Sequence, residues 1–260
     1  MKKILLILII LIIVLVFLGF YFLFFKKTPQ DHYWQIKKSG KIIIGLEPLF
    51  APFEFYDKEG NLVGFDVDLA KEIAKELGVQ PEFKVFSWDE LFPALLVKKE
   101  IDVIISAVSI TPERAKIMAF SVPYFMSGQI ALFKEGKELK TIEDLKGKKI
   151  GVQTDTTSEL EAKKITNPEL VIGFQNYKVA KEALLKGEID AILVDFAVGK
   201  KMAAENPQIK ILGEPITQEF YGVVLRKDEK ELLAKINQAI ENLKVSGYLK
   251  LLEEKWIQKD

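Results

Sequence analysis

The alternation of strand and helix patterns predicts an α/β protein of two lobes, each built on a mostly parallel sheet. Two observations carry this reading. The order β-α-β-α-β runs from Lys41 to Ser106 and restarts after "SGQIALFKEGKE" (127–138). The stretch "ALLVKKEIDVIISA" (94–107) is also nearly repeated by "ALLKGEIDAILVD" (183–195), so each unit has its own helix–turn–strand piece.

The elements follow in order. "KIIIGL" (41–46) is a short apolar run of buried-strand type. "GFDVDLAKEIAKELGV" (64–79) places Val67, Ala70, Ile73, Ala74 and Leu77 on one helical face, with Gly78 as its stop. "EFKVF" (82–86) is a strand, and Ser87 with Glu90 has the spacing of a capping box for a helix through Leu96. "DVIIS" (102–106) is the next strand, after which Thr111 reads as an N-cap with Pro112 at the first helical position. The second unit repeats the order through "KKIGVQ" (148–153), "SELEAKKI" (158–165), "LVIGF" (170–174), "YKVAKEALLKG" (177–187) and the strand 190–194. A helix near 196–205, the strand "YGVVLRK" (221–227) and a helical C-terminus complete the chain. Leu232, Ile236, Ala239, Ile240 and Leu243 stand there at core spacing.

Composition narrows the chemistry. The 260 residues carry 37 Lys and Arg against 37 Asp and Glu, interspersed, so no basic surface for nucleic acid is expected. No cysteine is present, which removes disulfides, thiolate metal sites, cysteine nucleophiles and a lipidated N-terminal cysteine. The one histidine, His32, argues against a His-dependent triad or a His-rich zinc site, and no metal or cofactor is expected. Residues 4–25 hold no charge and reach about 33 Å as a helix, enough to cross a bilayer core. The run is too long for a signal-peptide core and ends in "YFLFFKK" without a small-x-small site. An uncleaved membrane anchor over 1–27, an inside N-terminus and an exported globular part are therefore expected, joined by a linker over 28–37.

Ligands of parallel α/β sheets sit beyond the carboxyl ends of the strands. Those ends carry Glu47 and Phe50, then Trp88, then Ser106, Ala107, Ser109 and Arg114. In the second unit they carry Gln153, Thr156, Thr157, Ser158 and finally Asp195. Each has an ordinary structural role open to it: Asp195 can cap the helix that starts at Phe196, and Phe50 and Trp88 can be core. Arg114 in the first turn of a helix opposes the helix dipole unless an anion is bound there. As a set, an arginine fork with hydroxyls suits a carboxylate, and Asp195 suits an ammonium, together the head of an α-amino acid. Glu47 with Phe50 and Trp88 then offers one negative charge and two aromatic faces to a side chain, which favours a cation.

On "APFEFYDKEGNLVGFDVDLAKEIAKELG", "IDVIISAVSITPERAKIMAFSVPY" and "GYLKLLEEKW" the chain resembles the polar-amino-acid family of periplasmic solute-binding proteins that serve ABC importers. The resemblance covers residues 40–257. It implies the type II periplasmic binding protein fold, two lobes joined by two hinge strands and preceded here by an N-terminal transmembrane helix. Lobe one is expected at 38–128 plus 217–260, lobe two at 129–216, with closure by hinge bending. It further implies that Arg114, Ser109 and Thr157 hold a ligand carboxylate and Asp195 its ammonium. Glu47, Phe50, Trp88 and Gln153 would then shape selectivity, as in members that bind lysine, arginine, ornithine or glutamine. Where the family often has glycine this chain has Asp155, which bears on the geometry of the carboxylate clamp. The function expected is extracytoplasmic capture of a polar, basic amino acid by a non-enzymatic monomer that delivers it to an ABC permease. The alternatives are a membrane-tethered sensor module and a dehydratase-type enzyme on the same scaffold.

Overall fold

The computed structural model describes Val14 and residues 32–258; the apolar run read as an anchor lies, apart from Val14, outside the described residues. Among the described residues no helix is long and apolar enough to cross a membrane.

Two five-stranded sheets form the cores of two lobes. In the first the strand order is Gln80–Val85, Lys41–Leu46, Val103–Ile104, Val224–Leu225, Ala119–Phe120. In the second it is Val171–Phe174, Ile150–Gln153, Ala191–Asp195, Gln129–Lys134, Ile209–Leu212. Both sheets are mostly parallel, as the sequence pattern suggested, with four strands running one way and one reversed. The reversed strand pairs antiparallel with both its neighbours, and it is Val224–Leu225 in the first sheet and Gln129–Lys134 in the second. Strands that run together are linked through helices, as Ala191–Asp195 is to Ile209–Leu212 by Phe196–Glu205, while each reversed strand is the one on which the chain enters that lobe from the other. The chain crosses between lobes twice, and the crossings pair as a short antiparallel ribbon, Phe125–Ser127 with Glu219–Tyr221.

Burial explains the patterns. Every residue of Ala191–Asp195 is buried, as expected for a strand covered on both faces. On the helix Phe65–Glu76 and its cap, Val67, Ala70, Ile73, Ala74 and Leu77 all face the core. Gly64 before it has φ of 135°, and a Cβ there would stand 2.0 Å from the Phe53 carbonyl oxygen, so no other residue fits. Thr111 caps the helix Pro112–Ala115, its Oγ1 accepting from the Arg114 N–H at 3.2 Å. Ser87 behaves differently from a capping box. Its hydroxyl donates to the Glu90 carboxylate at 2.7 Å and makes no bond to the helix backbone.

Candidate ligand-binding cleft

The carboxyl ends of the parallel strands of both lobes face each other across a narrow cleft. Glu47, Phe50, Trp88, Ala107, Ser109 and Arg114 line it from one side, and Gln153, Thr157 and Asp195 from the other. With Ser106 and Thr156 these make eleven of the twelve strand-end residues, joined by Tyr177, while Ser158 is buried outside the lining with its hydroxyl donating to Gln129 Oε1. Tyr177 was missed, although it follows the strand Val171–Phe174 and the same strand-end rule applies to it.

The Thr111 cap fixes Arg114 at the cleft floor. Its guanidinium donates through Nη1 to the Ser109 carbonyl at 3.0 Å and through Nη2 to the Asp155 carbonyl at 3.3 Å. It lies over the Trp88 and Phe92 rings, 5.4 and 5.7 Å from their centroids. Burial pushes its pKa down, opposed by Glu219, Asp195 and Asp155. An arginine remains charged under such a shift, which leaves Arg114 a fixed, desolvated cation.

Asp155 belongs to the opposite lobe, and its carbonyl also accepts from Trp88 Nε1 at 3.3 Å. Its φ of 61° is left-handed, a conformation glycine adopts freely and aspartate tolerates. The departure from glycine therefore leaves a backbone shape that a glycine would also take.

Two carboxylates stand in the cleft. Glu47, 4% exposed, accepts from Gln153 Nε2 at 2.9 Å on each oxygen. Burial raises its pKa to about 7, with Gln153 opposing and Asp89 adding to the rise. Asp195 occupies the N-cap position of the helix Phe196–Glu205 but makes no capping bond. Its Oδ1 accepts from the Tyr221 hydroxyl at 2.5 Å instead. Burial, then the nearby Glu219 charge, raise its pKa to about 7. A carboxylate turned away from an available cap and held ready in a cleft suits a cationic ligand group.

The hydroxyls of Ser109 and Thr157 are already engaged, both donating to Glu219, at 2.6 and 2.8 Å. Glu219 lies outside every sequence pattern considered, because it sits on a crossing strand and not at a sheet's carboxyl end. Beneath the floor, Ser106 Oγ donates to the buried Glu54 at 2.7 Å and accepts from the Glu47 N–H at 3.0 Å. The Ala107 N–H donates to the buried Asp66 at 2.6 Å, which holds Ala107 at φ 48°.

Known proteins share this fold. Residues 42–259 match the model of the bacterial extracellular solute-binding proteins, family 3. The chain is 38% identical over 229 residues to the L-cystine-binding protein TcyJ of Escherichia coli K12, covering 87% of this chain and 86% of that one. It is 33% identical over 224 residues to the ABC transporter arginine-binding protein 1 of the same organism, covering 84% and 91%. Among solved structures, the P235GK mutant of ArgBP from T. maritima superposes with a TM-score of 0.82 at 41% identity, covering 87% of this chain and 99% of that one. An ancestral arginine-binding protein bound to glutamine gives 0.80 at 45%, covering 85% and 99%. With the match spanning both lobes and the cleft between them, the chain belongs to the family 3 bacterial extracellular solute-binding proteins.

Proposed function

We propose that the cleft captures a basic L-amino acid, arginine or lysine, outside the cytoplasm and that the closed protein delivers it to an ABC importer. The observation that carries this is the charge pattern of the cleft. Arg114 and Asp195 lie close enough to act on one another's charge and suit the carboxylate and ammonium of an amino-acid head. Glu47 stands apart from them, paired with Gln153, beside Phe50 and Trp88. With Glu47 and Asp195 ionised against one arginine, the cleft is complementary to a ligand of net charge +1. The arginine-binding names of several relatives and neighbours accord with this reading.

Binding needs no bond made or broken. Arg114 orients the carboxylate, Asp195 takes the ammonium, and the side chain runs between the aromatic faces to Glu47. Lobe closure then excludes water from these charges and strengthens each contact. The N-terminal apolar run would tether the protein at the membrane beside its permease. A second reading, glutamine, rests on Glu47: in its protonated form it can donate to an amide oxygen, and of two similar solved structures of an ancestral arginine-binding protein one is bound to arginine and the other to glutamine.

Calorimetric titration with arginine, lysine, ornithine, glutamine, cystine and glutamate tests the proposal. Arginine or lysine should bind in the low micromolar range or tighter, about −8 kcal/mol or more favourable. A preference for glutamate, or no amino-acid binding at all, would refute it.

A further inference from the structure

Glu219 lies on the second crossing strand and is not among the residues lining the cleft, yet four donors converge on its carboxylate. Oε2 accepts from Ser109 Oγ at 2.6 Å and from Thr157 Oγ1 at 2.8 Å. Oε1 accepts from Gln129 Nε2 at 3.0 Å and from Thr217 Oγ1 at 3.1 Å. Ser109 precedes the first crossing and is bridged to Tyr221 on the first lobe's side. Thr157 opens a helix packed on the second lobe's sheet, and Gln129 begins a strand of that sheet. The amide of Gln129 is itself fixed, its Oε1 accepting from Ser158 Oγ at 2.6 Å while Tyr177 donates to that same hydroxyl at 2.8 Å.

We propose that Glu219 is an interlobe latch, a resident carboxylate that ties Ser109 of one lobe to Thr157 of the other and so sets the population of the closed state before ligand arrives. A hydroxyl has one proton to give, and those of Ser109 and Thr157 are both given to the same oxygen. Hinge bending moves the helix of Thr157 relative to Ser109, so one oxygen cannot keep both partners as the lobes part. Hydrogen bonds to an ionised acceptor are roughly twice as strong as neutral ones, so this junction favours closure more than an ordinary polar contact. Affinity follows from the same equilibrium, because the apparent dissociation constant is the intrinsic one divided by the fraction that is closed. Glu219 also acts on the charge of Asp195, and a ligand ammonium placed beside Asp195 relieves that repulsion, so ligand and latch reinforce each other.

The affinity part rests on the amino-acid reading above; the free-state part does not. The test places fluorophores on Lys58→Cys and Lys146→Cys, exposed sites in different lobes of a chain with no native cysteine. Glu219→Ala should widen the lobe separation of the ligand-free protein and weaken arginine binding about tenfold or more, while the ligand-saturated separation matches the parent. Glu219→Gln should do less. Its oxygen can keep Ser109 and Thr157, and only its NH₂ opposes the Gln129 amide. Should Glu219→Ala fail to fold, Thr157→Val removes one arm of the latch alone and should also open the free protein. A ligand-free separation unchanged by these variants overturns the latch, and so does an affinity loss with that separation unchanged. If the parent binds no amino acid, the amino-acid reading fails, and the free-state separation still decides the latch.

Discussion

Gln153 reaches across the cleft to Glu47, placing its Nε2 2.9 Å from both carboxylate oxygens and 3.0 Å from the Gln175 carbonyl. One NH₂ group thus serves three acceptors, and it is the only donor to the Glu47 carboxylate among the described residues. The Glu47 charge is therefore under-compensated, and burial holds its pKa up to about 7. A guanidinium or ammonium arriving there supplies the missing positive charge.

Arginine affinity should accordingly depend on pH. Burial raises the pKa of both Glu47 and Asp195 to about 7, and the proposed cationic ligand would bind their ionised forms. Affinity should rise from pH 5.5 to pH 8 and then level off, with protons released on binding. Calorimetry at pH 6.5 in two buffers of different ionisation heat measures that release; none would mean that neither carboxylate meets the ligand's cations.

Glu47→Gln separates binding from stability. Because the folded pKa of Glu47 is raised above its unfolded value, its ionisation costs the native state stability as pH climbs from about 4.5 through 7. The ligand-free variant should melt higher than the parent at pH 8 and show no such gain at pH 4. Arginine binding should fall and glutamine binding should be largely kept, which thermal melts and titrations report together.

Removing the guanidinium should weaken binding about 30-fold or more. Arg114→Ala deletes the desolvated cation, and truncating one side of a buried charge pair costs about 2–5 kcal/mol. Arg114→Lys should also bind poorly, since an ammonium cannot hold the Ser109 and Asp155 carbonyls while presenting a fork to a carboxylate. Retained affinity in Arg114→Ala, measured by calorimetry, would show that the carboxylate lies elsewhere.

Asp155→Gly should leave arginine affinity within a few-fold of the parent, because the contacts from Trp88 and Arg114 go to its carbonyl and the φ of 61° suits glycine. Asp155→Val should destabilise the protein by about 1–3 kcal/mol, the cost of a bulky residue held in the left-handed region. Denaturant melts of the two variants distinguish the outcomes.

His32 pairs with Asp102, whose other oxygen accepts from the Ile43 N–H at 2.7 Å and so ties the first described helix to the first sheet. The Asp102 hydrogen bond raises the His32 pKa, against burial. The stabilisation is fully present below the unfolded value of 6.5 and is lost as pH rises through the folded pKa. His32→Gln should lower the melting temperature at pH 5.5 and change it little at pH 9.

Much of this protein is local in origin and could be read directly. Apolar runs of four to six residues, a 3.6-residue apolar stripe and a Thr-Pro helix start need only neighbouring residues to take effect. The strand-end rule then located eleven cleft residues, because a chain entering a loop from a buried strand must emerge at that edge. Tertiary structure decided three things. It reversed one strand of each sheet, the one on which the chain enters that lobe from the other. It turned the Asp195 carboxylate from its helix cap to Tyr221, a partner 26 residues away. It also gave the hydroxyl protons of Ser109 and Thr157 to Glu219, a residue 110 positions from the first and 62 from the second. No sequence window contains such a pairing. Residue types determine what a group can donate or accept, and only the folded chain determines which donors and acceptors come within three ångströms of each other.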